Sequence, residues 1–268
     1  EVSTKVKEYE MYGLEIMNDL KIKVGVVTST NKLNKIDNII RNFKEQIYFN
    51  KKLFLVINNN DICIHDIKKK CIDNNILYEV ISIDEKFNLG YCLNEAIKKL
   101  KEQQYEIFSK FDDDDIYEKY YLLEQVYNLN INNKCIVGKH DTILYFFDKR
   151  KYFKIKNFDI QSEFTNFCRG STITYNINKI NSKFNEEKIT GVDSEFIKNK
   201  KIFSTSNKNY IWIRYSNLNE HTWKIDIEKK FNLIEIKCNK DINYIHNVNE
   251  FFNGFYSIIN INNRDKIN

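Results

Sequence analysis

Over the first half of the chain the apolar positions switch regularly between two periods. Apolar, β-branched runs at Ile22–Thr28, Leu53–Ile57, Leu77–Ile83 and Tyr105–Phe111 read as buried strands. Between the first two, Leu33, Ile36, Ile39, Ile40, Phe43 and Ile47 form a helix stripe. Asp61 stands where it would cap a helix with Ile62, Ile64, Ile67 and Cys71 at its apolar positions. Asn88 opens a further helix with Leu93, Ala96, Ile97 and Leu100 on one face. Strand and helix in alternation predict parallel pairing with right-handed crossovers, a mostly parallel α/β sheet flanked by helices. Ligands of such sheets bind at the carboxyl ends of the strands. Four loops are therefore of interest: Thr28–Asn31, Asn58–Asp61, Asp84–Gly90 and Asp112–Asp115.

Beyond residue 116 the pattern loosens. A helix is expected over Tyr120–Leu129, and Cys135–Val137, Thr142–Phe147 and Tyr152–Ile155 read as strands of a mixed sheet. Ser171–Tyr175 and Tyr210–Tyr215 are further strands, and Val192–Asn199 is a helix. Residues 7–20 carry a helical apolar spacing, and residues 225–268 hold short apolar runs without order.

Composition narrows the class. With 268 residues, 42% apolar and 29% charged, the chain can bury an ordinary core. The net charge of +5 is scattered among acids, which argues against a nucleic-acid partner but allows peripheral contact with an anionic membrane face. No run approaches the length of a membrane span, and the mixed charges of Glu1–Lys21 do not fit a signal peptide. A first residue of Glu rather than Met reads as a piece of a longer protein. The six cysteines show no C-x-x-C spacing, so they are expected as small buried apolar residues of a reducing cytosol rather than zinc ligands. Proline is absent, which we attribute to coding bias and which removes a boundary marker.

The chemistry gathers in a few segments. Phe111-Asp-Asp-Asp-Asp115 follows the fourth strand directly, and four adjacent carboxylates repel unless a cation compensates. A divalent ion shared with diphosphate oxygens does that, and the plain alternative is a solvated acidic turn. Asn88-Leu-Gly90 at a helix start suits an anion and a close backbone approach, although Asn88 is equally a helix cap. Thr28 and Thr30 can bond a base or ribose, or cap the next helix. Asp193, in Gly191-Val-Asp193, is a general base or an N-cap, and residue chemistry alone favours the cap. His221 is a metal ligand or a structural histidine, and Trp223 a sugar platform or a core filler.

Taken in order, Val24–Asn31, Leu53–Asp61, Asn88-x-Gly90-x-x-x-Asn94, Phe111–Tyr117, Gly170-Ser-Thr172 and Gly191-Val-Asp193 resemble the family 2 glycosyltransferases over residues 21–224. The resemblance implies a GT-A fold: a Rossmann-like, mostly parallel sheet with a smaller mixed sheet on the acceptor side. It divides the chain into a leading helix (1–20), a glycosyltransferase domain (21–224, with a nucleotide-binding half at 21–116 and an acceptor half at 117–224) and an appendage (225–268). It implies an inverting, metal-dependent transfer from a nucleotide-sugar, UDP favoured, to a hydroxyl of a glycan or glycoconjugate in bacterial cell-surface synthesis. By it, Asp193 is the catalytic base. Thr28, Thr30, Asn59, Asn88, Gly90, Asn94, Asp112 and Asp113 bind the donor, and Asp114, Asp112 and His221 hold Mn2+ or Mg2+. Two departures stand out. Asn58-Asn59-Asn60-Asp61 replaces a pair of acids common in relatives, which weakens the preference for uridine, and Val192 stands where relatives often have Glu. A sugar nucleotidyltransferase is the alternative, but Thr28–Asn31 lacks its glycine-rich loop. An inactive binding domain of the same fold would have no use for Asp114 and Asp193.

Overall fold

The computed structural model describes residues 22–132, 135–215 and 226–236, all within the unit Lys21–Ile236. The expected leading helix, His221, Trp223 and most of 225–268 lie outside the described residues.

Strands β1 (Val24–Thr30), β2 (Lys51–Ile57), β3 (Tyr78–Ser82) and β4 (Ile107–Lys110) alternate with α1 (Ile36–Glu45), α2 (Ile64–Asp73) and α3 (Leu89–Glu102). A short 3-10 turn, Leu33–Lys35, precedes α1. β1 pairs parallel with both β2 and β4, and β2 with β3. Leu53, Phe54, Leu55, Val56 and Ile57 are fully buried, because a central parallel strand is covered on both faces. Its continuous apolar run is that geometry written in sequence.

The chain continues through β5 (Ile116–Tyr117), α4 (Tyr121–Ile131), β6 (Ile136–Gly138), β7 (Ile143–Phe146), β8 (Lys151–Ile155), β9 (Glu163–Thr165) and β10 (Thr174–Asn176). It then forms α5 (Val192–Ile197), β11 (Ile202–Ser204), β12 (Tyr210–Arg214), α6 (Ile227–Lys230) and β13 (Leu233–Ile236). The eight-stranded sheet has the order β3-β2-β1-β4-β10-β6-β11-β9, and a five-stranded mixed sheet has the order β13-β8-β7-β12-β5. The acidic loop joins β4 of the large sheet to β5 of the small one, so it lies where the two sheets meet.

Several expectations need correction. β1 runs to Thr30, so Thr28 and Thr30 end a strand rather than occupy a loop. Asp61 does not cap α2: the cap residue is Cys63, and the Asp61 amide donates to Asn59 Oδ1 at 2.8 Å in a tight turn. The strand expected at Ser171–Tyr175 begins as a 3-10 turn, Gly170–Thr172, before β10. β6 belongs to the large sheet, while β7 and β8 belong to the small one. Cys71, Cys92, Cys135 and Cys168 are buried and free, and Cys63 is free and exposed.

Candidate functional site

The strand order places β1 and β4 side by side while the chain runs outward from β1 to β3 and returns at β4. A crevice outside the carboxyl ends of two such strands is where this kind of sheet binds ligands. Thr30, which ends β1, donates its hydroxyl to Asp113 Oδ2 at 2.5 Å across that point. Thr28 is buried, and its Oγ1 has no hydrogen-bond partner.

Helix α1 shapes the acidic loop. Its apolar stripe, Ile36, Ile39, Ile40 and Phe43, faces the core. A second stripe of amides at Asn38, Asn42 and Gln46 reaches the loop backbone. Asn38 Nδ2 donates to Asp113 O at 2.9 Å and Asp115 O at 3.0 Å, and Asn42 Nδ2 to Asp115 O at 2.9 Å. Gln46 Nε2 donates to Tyr117 O at 3.0 Å and Glu118 O at 2.9 Å. Tyr117 stacks on Phe111 with centroids 3.9 Å apart, accepts from the Asp112 amide at 2.7 Å and donates to Ser171 O at 2.8 Å.

The four aspartates have separate fates. Asp115 is buried: Oδ2 accepts from the Tyr210 hydroxyl at 2.6 Å and Oδ1 from the Ile213 amide at 3.0 Å. It ties the loop to β12 and caps no helix. Asp112 Oδ1 accepts from Lys110 Nζ at 2.6 Å, and the same ammonium donates to Asp193 Oδ2 at 3.0 Å. Two acids from distant segments thus share one buried cation. Asp114 is half-buried, and its charge acts on Asp112, Asp113, Asp115 and the Arg214 guanidinium.

Burial, with the charges of Asp193 and Asp114 added and Lys110 opposing, raises the Asp112 carboxyl to about 6. Burial and the Asp114 charge raise Asp113, with the Thr30 hydrogen bond opposing. Asp115 is pushed well up by burial and by the charges of Asp114 and Asp112. Burial works to lower the Lys110 ammonium, but the two carboxylates outweigh it and hold Lys110 above its ordinary value.

Asp193 is not a cap. Gly191, at φ 70, occupies the cap position with no side-chain bond to the helix, and Asp193 lies inside α5. Its carboxylate packs so closely on Gly170 that a Cβ there would come within 2.4 Å of Oδ2. Asp193 Oδ1 is buried and has no hydrogen-bond partner.

Three residues expected at the donor are engaged elsewhere. Asn88 caps α3, accepting from the Tyr91 amide at 3.0 Å, and its Nδ2 donates to Glu186 O and, at 3.2 Å, to Lys188 O. Asn94 Nδ2 donates to Phe184 O at 2.9 Å and Glu186 Oε1 at 2.7 Å, while its Oδ1 accepts from the Phe184 amide at 2.9 Å. A Cβ on Gly90 would meet Asn185 O at 2.1 Å. Together they hold the Phe184–Lys188 strap that leads into the Asp193 segment. Asn59 is likewise spent on the turn, its Nδ2 donating to Asn31 O at 2.9 Å. Lys110, Asn38, Asn42, Gln46 and Tyr210 carry no signal in the sequence that marks them as parts of the site.

Among the described residues no group of three or more His, Cys, Asp or Glu is set to hold a metal. A divalent ion that shares diphosphate oxygens needs only one or two carboxylates. The half-buried Asp114, amid acids whose pKa values are raised by burial and by one another's charge, fits that donor set.

No family model and no curated protein sequence matches this chain. Solved structures do. The mannosyltransferase PcManGT from Pyrobaculum calidifontis, in complex with GDP-Man and Mn2+, matches with a TM-score of 0.53 at 13% identity, over 72% of this chain and 56% of its own. Residues 1–349 of S. aureus TarS in complex with UDP match with a TM-score of 0.51 at 18% identity, over 72% of this chain and 61% of theirs. The match therefore spans less than two-thirds of either structure's length. The protein has a fold that glycosyltransferases share, with a large, mostly parallel sheet flanked by helices and a second, smaller mixed sheet.

Proposed function

We propose that this protein is a nucleotide-sugar-dependent glycosyltransferase whose acidic loop receives the donor and whose Asp193 receives the acceptor. One observation carries the reading: Asp112, at the end of β4, and Asp193, from α5, meet on Lys110 beside the switch point of a parallel sheet. A solvated acidic turn would have no reason to recruit a distant acid and a buried lysine. The fold shared with structures that hold UDP, and GDP-Man with Mn2+, supports a nucleotide-sugar donor.

In this reading residues 21–224 carry the transfer. Asp114 holds the metal, Thr28 and Thr30 line the nucleoside side, and Asp113 fixes Thr30. A divalent ion held there would supply charge neutralisation for the leaving diphosphate and a template for the two substrates. Asp193 takes the proton of an acceptor hydroxyl, which attacks the anomeric carbon in line with the departing nucleotide and inverts it. The unpartnered Oδ1 supports this role, since a buried carboxylate oxygen without a donor costs about 1–3 kcal/mol and an arriving hydroxyl removes that cost. Gly170, without a Cβ, leaves the space that the Asp193 carboxylate fills. UDP is the favoured nucleotide, and Asn59 is withdrawn as a base-reading residue because its amide is engaged. No helix among the described residues is long and apolar enough to cross a membrane. The resemblance supports a place at the cytoplasmic face of a bacterial membrane, acting on cell-surface glycans.

A thermal-shift panel of UDP-, GDP- and CDP-sugars with Mn2+, followed by assay of free nucleotide, tests the proposal. Stabilisation by one nucleotide series and slow release of its diphosphate are expected. Pyrophosphate chemistry instead of nucleotide release would overturn the reading.

A further inference from the structure

Nine buried side-chain polar atoms among the described residues have no hydrogen-bond partner, and five of them belong to His140, Asp141, Thr142 and Arg169. Native proteins pair nearly all such atoms, so a concentration of this kind points to an exogenous partner. Arg169 is 7% exposed. Its backbone is fixed, with the amide donating to Lys139 O at 2.8 Å and the carbonyl accepting from the Thr172 amide at 2.9 Å. The Trp212 ring lies 4.4 Å from its Cζ, and the Phe158 ring 5.3 Å away. Aromatic contact therefore restrains the guanidinium, and what it lacks is partners for its edge.

The two orphan atoms of Arg169 are Nε and Nη2. Their N–H groups share one edge of the guanidinium, the fork that grips a carboxylate or phosphate through two parallel hydrogen bonds. Asp141 does not fill that fork. Its Oδ2 accepts from Asn207 Nδ2 at 2.7 Å and Gln161 Nε2 at 2.9 Å, and its Oδ1 is bonded to nothing. The cluster draws on the loop between β6 and β7 and on the residue preceding Gly170. These segments are not the donor loops after β1 and β4, although the charges of Tyr210 and Asp115 also act on the Arg169 guanidinium. Arg169 directly precedes Gly170, the residue against which the Asp193 carboxylate packs.

We propose that Arg169 forms an acceptor subsite that takes an oxyanion, phosphate or carboxylate, of the molecule being glycosylated, with Asp141 Oδ1 accepting from a hydroxyl of the same molecule. The inference rests on the reading of Asp193 as the base, whose carboxylate packs on the residue that follows Arg169. Bidentate capture adds orientation to charge, which is what an attacking hydroxyl needs.

The test is calorimetric titration of the full chain, saturated with UDP and Mg2+, with inorganic phosphate and with acetate at constant ionic strength. Occupying the donor site first removes it as a competing anion site, and absence of UDP binding in that first step would count against the donor reading alone. The parent is expected to bind one or both anions, and the preferred one assigns the class. Arg169→Met should weaken that binding at least about tenfold, and Arg169→Lys, which keeps the charge but not the fork, should fall between. If Arg169→Met does not fold, the Lys variant carries the comparison. Asp141→Asn should keep or improve anion affinity. The inference is overturned if the parent binds neither anion or if the Arg169 variants bind as the parent does.

Discussion

Lys110 Nζ lies 3.0 Å from Asp193 Oδ2, joining a residue that ends β4 to one that lies in α5. Only 4% of the lysine side chain is exposed, and its other partner is Asp112 Oδ1 at 2.6 Å. Asp193→Asn is expected to lower transfer by about 10²–10⁴-fold while leaving metal-dependent UDP affinity unchanged by calorimetry. Near-normal transfer would remove Asp193 as the base. Lys110→Met leaves two facing acids without their shared cation. We expect about 1–3 kcal/mol of lost stability in urea melts, below the roughly 3–5 kcal/mol of a fully buried pair because both acids are partly exposed. The variant should lose turnover more than donor affinity.

Asp114→Ala should abolish the Mn2+-dependent part of UDP binding. The Asp114 charge raises each of the other three carboxylates in the loop and also favours the Arg214 guanidinium. Unchanged affinity with and without Mn2+ would exclude Asp114 from the metal.

Gly90→Ala tests the strap. A Cβ within 2.1 Å of Asn185 O must displace backbone, not a yielding side chain. Overpacking of this kind costs about 1–3 kcal/mol. Because the strap leads to Asp193, transfer should fall further than UDP affinity. A drop in UDP affinity alone would return Gly90 to the donor site.

The acids also predict a pH dependence. Asp112 is raised from 3.8 to about 6 in the folded protein. Folding therefore favours its protonated form, and the associated stability is full below pH 3.8 and lost as pH rises through about 6. With 36% of its side chain exposed, solvent screens part of the effect and the slope is shallow. Between about pH 4 and about 6.5 the parent's Tm should fall relative to that of Asp112→Asn, and parallel curves would contradict the assignment.

Tyr210→Phe removes the hydroxyl that Asp115 Oδ2 accepts at 2.6 Å in a buried setting. Loss of one partner of a buried polar pair costs about 1–3 kcal/mol. Because Asp115 anchors the acidic loop to β12, the variant should also weaken UDP binding. Stability within about 0.5 kcal/mol of the parent, the scale of a surface change, would show that the anchor is dispensable.

Strands β1, β2 and β4 and the helices between them are legible in the sequence because buried parallel strands and amphipathic helices each write a clear period, whereas β3, expected as buried, is a half-exposed edge strand. β5, with two residues, and β9 and β11, with three each, are too short to carry any period. Asp112–Asp114 and Asp193, the residues proposed for the site, stand out in the sequence by their place after a strand and after a glycine turn. Lys110 cannot, because a lysine closing a strand ordinarily reaches solvent. Asn88, Gly90 and Asn94 stand out in the sequence, but their role is not the expected one: the close approach that Gly90 permits is to the Asn185 backbone. Asn38, Asn42 and Gln46 recur at successive turns beside the apolar stripe. Amides on a helix usually face water, so nothing local distinguishes these.

That amide stripe has a consequence for how the site can change. Asn38, Asn42 and Gln46 grip carbonyl oxygens of the segment from Asp113 to Glu118, and they carry no charge. They set the path of the loop without discharging its carboxylates. Shape and charge at the acidic loop are thus governed by different residues. The charge of the loop can change by substitution within it while the mould that casts its path stays fixed on a neighbouring helix.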